Sequence, residues 1–284
     1  MKIVFLGEDS FSSVVLQSLL NEKFHIVLVA TPLYNNNIHI RLKNKAEKNN
    51  LEFIQVASFK DSEFIKYLRS LNPDLIVIAH FKKLLPLEII NIPKLGCINL
   101  HPSLLPNYRG MSPQHWPIIN GDSETGITVH FIDENADTGG IIIQEKVPID
   151  SKVYVAEVQQ YFLEIYKHIV VDSIKLIQNH AFIPIKQSHL KGSYYGRLRK
   201  EDCRISIDKS TNEIFRLIRG VSLPYHGAFF NNIKIFQASI AENDIKDYLM
   251  EKYKVNGLYF TENDINFLRL RDGILLIKKF DQIK

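Results

Sequence analysis

The sequence predicts an α/β protein: an open, mostly parallel sheet with helices on both faces, then a small β-rich domain. Three observations carry this. Short apolar runs alternate with amphipathic segments through the first half of the chain. Several runs, "PDLIVIAH" (Pro73–His80) above all, have almost no polar position, as strands covered on both faces require. Near Lys186 the composition turns polar and glycine-containing, and short strands with turn signals follow.

Taken in order, "KIVFLG" (Lys2–Gly7) reads as a buried strand ending in a glycine turn, and "SFSSVVLQSLLNE" as a helix capped by Ser10. "HIVLVAT" (His25–Thr31) is a strand, "HIRLKNKAEKNN" a helix, "LEFIQV" a strand and "DSEFIKYLRSLN" a helix. "PDLIVIAH" and "GCINLH" are the next strands. "TGITVHFI" and "GIIIQEKVPI" follow with no helix between them, which predicts a β-pair. "VYVAEVQQYFLEIYKHIVVDSIKLIQN" predicts one long helix, and "QSHLKGSYYGRLRKEDCRI" a linker. Beyond it, "STNEIFRLIRG" reads as a helix, and "LPYHGAFF", "IKIFQASI", "YKVNGLYF", "NFLRLR" and "GILLIKK" as the strand-rich part of a barrel-like unit. The expected domains are residues 1–188 and 189–284.

The 284 residues are 45% hydrophobic and 23% charged, ordinary values for a globular chain able to bury a core without staples. The net charge of +4 suits an anionic ligand without marking a nucleic-acid binder. With only Cys97 and Cys203 and no CxxC, neither a disulfide framework nor a zinc site is expected, and a reducing cytoplasm fits. No apolar run approaches a membrane span, and the N-terminus is too short in its apolar run for a signal peptide.

Chemistry concentrates at "GCINLHPSLLPNYRG" (Gly96–Gly110). In an open parallel sheet, ligands lie beyond the carboxyl ends of the strands. Asn99 and His101 stand at such an end, and residues i and i+2 point to one side. Singly, an asparagine there is a turn former and a histidine a structural residue. Together they are two polar groups on an apolar strand, which need partners. A second cluster, "DENADTGG", offers Asp133, Glu134 and Asp137 before glycines that permit tight turns. The first βα turn, "GEDSFSS", lacks GxGxxG, and Glu8 and Asp9 repel a pyrophosphate, so a dinucleotide cofactor is not expected.

"NLHPSLLPNYRG" followed by "GDSETGITVHFIDENADTGGIIIQ" resembles the folate-dependent formyltransferases, which carry a formyl group from N10-formyltetrahydrofolate to an amine. The resemblance runs from the first strand to the long helix and resumes around "GRLRKEDCRI" and "VSLPYHGAF". It implies a Rossmann-like catalytic domain, a small OB-like C-terminal domain and a catalytic trio of Asn99, His101 and Asp137. Those residue types match the chemistry. Asn99 can donate to a tetrahedral oxyanion, His101 can move the amine's proton, and Asp137 can orient or stabilise the imidazole. Carried over by the resemblance, the folate site is Phe81, Lys82, Lys83 and Leu84 with Ile132, Asp133, Glu134, Asn135, Ala136 and Asp137, read largely by backbone. The Leu105–Pro106 bond is a candidate cis bond.

Three acceptors compete. Glycinamide ribonucleotide enzymes are single-domain and bind phosphate at a glycine-rich first loop, which this chain lacks. Methionyl-tRNA enzymes share the two-domain plan but carry a long basic loop after the second strand, where this chain has "ATPLYNNNIHIRLKNKAEKNN". Enzymes formylating nucleotide-linked amino sugars, as in lipopolysaccharide O-antigens, match in size, in "HPSLLPNYRG" and in the short early loop. The expectation is therefore a nucleotide-linked amino sugar as partner, with tRNA not expected, and a homodimer. Trp116, Tyr225 and Phe229 are candidates to stack on the base, and Lys82, Arg109 and Arg197 to meet phosphates. Outside the class stand a formyl-folate hydrolase and a non-catalytic folate-binding module.

Overall fold

The computed structural model describes residues 1–179, 182–188 and 191–283. Its strands are β1 (Lys2–Gly7), β2 (His25–Pro32), β3 (Phe53–Val56), β4 (Leu75–Ala79), β5 (Cys97–His101), β6 (Arg109–Gly110), β7 (Glu124–Phe131), β8 (Ile141–Pro148), β9 (Tyr194–Tyr195), β10 (Ala228–Phe230), β11 (Ile233–Ile240), β12 (Leu258–Glu262), β13 (Ile265–Leu270) and β14 (Gly273–Gln282). Its helices are α1 (Ser10–Asn21), α2 (Ile40–Lys48), α3 (Ser62–Leu71), α4 (Leu87–Ile90), α5 (Trp116–Asn120), α6 (Val155–Tyr166), α7 (Ile169–Gln178), α8 (Thr211–Val221) and α9 (Asn243–Lys252). Two compact units emerge. One comprises Met1–Gly110, Gly126–Val147 and Tyr161–Tyr194, and the other Met111–Thr125, Pro148–Gln160 and Tyr195–Lys284.

The first unit is built on a sheet in the order β3-β2-β1-β4-β5-β7-β8. β1 to β5 run parallel and β7 runs antiparallel to β5. All of "LIVIA" in β4 is buried, as a central strand under helices on both faces must be. Val4, Leu6, Leu28, Ile76, Ile78 and Cys97 share one core beneath α3 residues Phe64 and Leu68. The strand order reverses at β1, so the crevice beyond β1 and β4 is the position where open sheets take ligands.

The helix after β1 is capped by Asp9, not by Ser10. The Asp9 carboxylate accepts from the N–H groups of Phe11 and Ser12, and Ser12 closes the capping box. The expected long helix is two, α6 and α7. Lys167 and His168 close a tight turn on the carbonyls of Glu164 and Ile165, and His168 Nε2 reaches Glu145 Oε2 at 2.8 Å.

The second unit holds an antiparallel sheet in the order β10-β11-β14-β13-β12. Asn263 and Asp264, both at positive φ (51° and 63°), join β12 to β13 in the type of turn that matches strand twist. The amphipathic α8 starts in a Ser210–Glu213 capping box and lays Ile214, Leu217, Ile218 and Val221 on Ile235, Leu268 and Leu275. Helix α9, absent from the sequence reading, has two strands of this sheet before it in the chain and three after it.

Candidate active site

Strand β5 carries Cys97, Asn99 and His101 on one face. Cys97 sinks into the core, while Asn99 at half burial and His101 at 4% exposure lie toward the carboxyl end. The antiparallel register sets His130 of β7 opposite Asn99 and Thr128 opposite His101. Each polar interruption therefore has a partner. Asn99 Nδ2 lies 3.2 Å from His130 Nε2, and His101 Nε2 lies 2.8 Å from the Tyr108 carbonyl.

Hydrogen-bond direction orients the whole group. A carbonyl only accepts, so His101 Nε2 carries a proton and Nδ1 is the nitrogen left to take one. His130 Nδ1 donates to the Phe131 carbonyl at 2.7 Å, so His130 Nε2 accepts. The atom of Asn99 facing it is thus the amide nitrogen, and its second N–H is left to point elsewhere. Burial pushes the His130 imidazole below its ordinary range and keeps it neutral, against the pull of Asp137.

Asp137 joins the pair from the loop between β7 and β8. Its Oδ1 lies 3.6 Å from His101 Nδ1 and 3.7 Å from His130 Nε2, and its Oδ2 accepts from the Gly110 N–H at 2.9 Å. The same loop is shaped by Asp133, whose Oδ1 accepts from Asn135 N and from Thr138 Oγ1 at 2.6 Å. The loop after β5 is braced by Thr128, whose hydroxyl donates to the Ser103 carbonyl and accepts from Leu105 N, and the Leu105–Pro106 bond is cis.

At the crevice floor, Asp9 Oδ2 faces His80 Nδ1 at 3.3 Å, and Tyr166 OH lies 2.8 Å from His80 Nε2. A carboxylate only accepts, so Nδ1 bears the proton and the buried Tyr166 hydroxyl donates. Phe11 stacks on the imidazole at 4.8 Å. Burial opposes ionisation of Asp9, but the His80 imidazole and the cap hydrogen bonds outweigh it and lower its pKa. Beside it, the fully buried Glu8 accepts the Lys82 N–H at 2.5 Å and pairs with Lys82 Nζ at 3.3 Å.

The remaining expected residues separate by environment. Phe81 packs edge-on against Phe59, while Lys82, Lys83 and Leu84 are exposed on the irregular segment after β4. Ile132, Asp133 and Ala136 are half-buried, and Glu134 and Asn135 exposed. Arg109, expected to meet phosphate, is instead buried, with its guanidinium bonded to Gln187 Oε1 and the Ser188 carbonyl. In the second unit, Phe229 is a core residue at 8% exposure with Lys200 and Lys234 ammonium groups near its ring, so the base-stacking face expected of it is taken. Tyr225 packs edge-on to His115, and Gln159 and Gln114 donate to its hydroxyl. Trp116 lies against Tyr195 at 4.8 Å, and Arg197 is exposed.

The residues sequence reasoning did not find are His130 and Gln187. His130 carries no mark in the sequence, because only the antiparallel register sets it opposite Asn99.

Residues 1–174 match the formyl transferase family, and residues 197–281 its C-terminal domain. The chain belongs to the formyl transferases. The methionyl-tRNA formyltransferase of Clostridioides difficile is 36% identical over 87% of this chain and 83% of its own. That of Lachnospira eligens is 32% identical over 98% and 91%. In fold, the chain is similar to WlaRD, a sugar 3N-formyl transferase solved with dTDP and 5-N-formyl-THF, at TM-score 0.72 and 23% identity over 98% of this chain and 96% of that one. It is equally similar to the Helicobacter canadensis N-formyltransferase in complex with folinic acid and dTDP-3-aminofucose, at TM-score 0.72 and 21% identity over 99% and 100%. As a formyl transferase, the chain is an enzyme with an α/β catalytic sheet and a C-terminal antiparallel sheet.

Proposed function

We propose that this formyl transferase moves the formyl group of N10-formyltetrahydrofolate to the amino group of a nucleotide-linked amino-deoxysugar, such as dTDP-4-amino-4,6-dideoxyglucose, for O-antigen or other glycan assembly. One observation carries the choice of acceptor. The connection from β2 to α2, Leu33–His39, contains no lysine or arginine, and Leu33 and Ile38 in it are exposed apolar side chains. A tRNA acceptor arm needs a basic surface. The fold likeness to two enzymes solved with dTDP ligands supports the same choice.

In this reading the amine attacks the formyl carbonyl, and the tetrahedral oxyanion takes the N–H of Asn99 that His130 leaves free. One such donor is worth about 2.7–4 kcal/mol of barrier. The attacking nitrogen sheds its proton to His101 Nδ1, the nitrogen the Tyr108 carbonyl leaves unprotonated. Asp137 Oδ1, 3.6 Å away, stabilises the imidazolium, and as the intermediate collapses the carbon–N10 bond breaks and the His101 proton passes to N10 of the departing tetrahydrofolate. The folate fits the two loops: the N–H groups of Lys83, Leu84 and Ala136 have no hydrogen-bond partner among the described residues, so they are available to the edges of a pterin.

A second reading, methionyl-tRNA as acceptor, is favoured by the curated relatives at 36% and 32% identity. One experiment separates them. The protein is incubated with N10-formyltetrahydrofolate and a panel of dTDP- and UDP-linked amino sugars or with Met-tRNA, and each acceptor is weighed for an added formyl group. Formylation of a sugar nucleotide is expected. Formylation of Met-tRNA alone overturns the proposal in favour of the second reading.

A further inference from the structure

We infer that Gln187 is a positioning residue for formyl transfer, acting through Asp137, and that Arg109, Gly110 and Gln187 together hold that aspartate by its carboxylate and its main chain. The inference rests on the reading of Asp137 as catalytic.

Asp137 adopts φ 57°, the left-handed region, which is costly for a residue with a side chain unless its surroundings hold it there. Two sets of bonds do so. Gly110 N–H binds its Oδ2 at 2.9 Å, leaving Oδ1 to the imidazoles. Gln187 Nε2 donates to its carbonyl at 2.9 Å and to that of Gly139 at 2.8 Å. Gln187 is itself oriented: Oε1 accepts from Arg109 Nε at 3.1 Å and Nη2 at 2.8 Å, and a guanidinium only donates, so the amide nitrogen must face the loop. Arg109 and Gly110 are adjacent in the chain. The contacts therefore close a ring from Gly110 N–H to the Asp137 carboxylate, through its main chain to Gln187, and back through Arg109.

The ring is anchored. Ile185 exchanges both main-chain hydrogen bonds with Ile141 of β8, at 2.9 Å each, which ties the segment bearing Gln187 to the sheet. Arg109 and Gln187 are 7% and 8% exposed, so water does not replace these bonds readily. The position demands glutamine. It must accept from a cation on one side and donate to two carbonyls on the other. Glutamate keeps the first function and loses the second.

The test measures kcat, the KM for N10-formyltetrahydrofolate and thermal unfolding for Gln187→Glu and Arg109→Lys, each in the wild-type and in an Asp137→Asn background. Loosening of a supporting residue of this kind costs roughly 10–100-fold in activity. We expect Q187E to lower kcat by about that factor in the wild-type background, and by less than about 2-fold once Asp137 is already Asn, because the two act as a unit. A purely structural glutamine lowers kcat equally in both backgrounds, and that result, or no loss in either, overturns the inference. R109K is expected to show the same dependence on background, so it decides the matter should Q187E fail to fold. Wild-type turnover by D137N alone is a different result: it removes Asp137 from catalysis and this inference with it.

Discussion

Asn99 and His101 are held in orientations set by neighbours outside their own strand. The Tyr108 carbonyl selects the tautomer of His101, and the neutral His130 selects the rotamer of the Asn99 amide. Under the proposed mechanism Asn99→Ala removes the oxyanion donor and is expected to lower kcat by about 10²–10³-fold with a smaller change in donor KM. His130→Leu leaves Asn99 in place but unoriented. It is expected to lower kcat too, by at least about 10-fold, in steady-state assays. Wild-type kcat for His130→Leu removes it from the site. The sequence named both strand residues and Asp137 as candidates, and folding sets Asp137 beside His101. His130 was not named, because a histidine in an apolar strand has no distinguishing mark until the antiparallel register sets it opposite Asn99. Arg109 and Phe229 were misread for a related reason: residue type suggests a ligand contact, and only burial shows that the group is already engaged.

The elements that present these residues depend on close main-chain approach. A Cβ at Gly139 meets the Phe131 carbonyl oxygen at 1.9 Å, so Gly139→Ala forces apart β7 and the loop carrying Asp137. The expected cost is at least about 2 kcal/mol, read as a lowered unfolding midpoint, with turnover falling as well. A fully stable and active G139A contradicts this geometry. At the other end of the sheet, Asp9 caps α1 and faces His80. Asp9→Ala is expected to destabilise by about 1–2 kcal/mol, more than Asp9→Asn, which keeps a capping oxygen. Equal loss in both variants, measured by denaturant unfolding, contradicts the capping role. Most elements were legible because strand and helix periods are written in the apolar pattern. The break between α6 and α7 was not, since "YKHI" contains neither proline nor glycine and the turn is closed by main-chain hydrogen bonds to Glu164 and Ile165.

Across the molecule, buried imidazoles make stability depend on pH. His115 donates Nδ1–H to the Gly220 carbonyl at 2.7 Å, and burial lowers its pKa from 6.5 to about 4. His130 is lowered by the same cause. An unfolded chain binds protons at these histidines where the folded one does not, so stability is full above about 6.5 and is lost as pH falls toward about 4. For His115 the loss is on the order of 3 kcal/mol. Asp9 and Asp272, with lowered pKa values, give up their contributions only below about their ordinary 3.8, outside this window. Urea midpoints are expected to fall between pH 7 and pH 5, and less steeply for His115→Asn. A midpoint that holds steady or rises on acidification contradicts the neutral, buried state of these rings.

The sequence by itself determined the α/β class, the pairing of β7 with β8, and a trio of residue types suited to formyl transfer, because these reside in local pattern and in motif. Only the tertiary structure decided which nitrogen of His101 donates to a carbonyl, which way the Asn99 amide points, and that Arg109 and Gln187 bond around Asp137. Those are matters of hydrogen-bond direction and burial, and both are imposed by residues that meet only when the chain has folded.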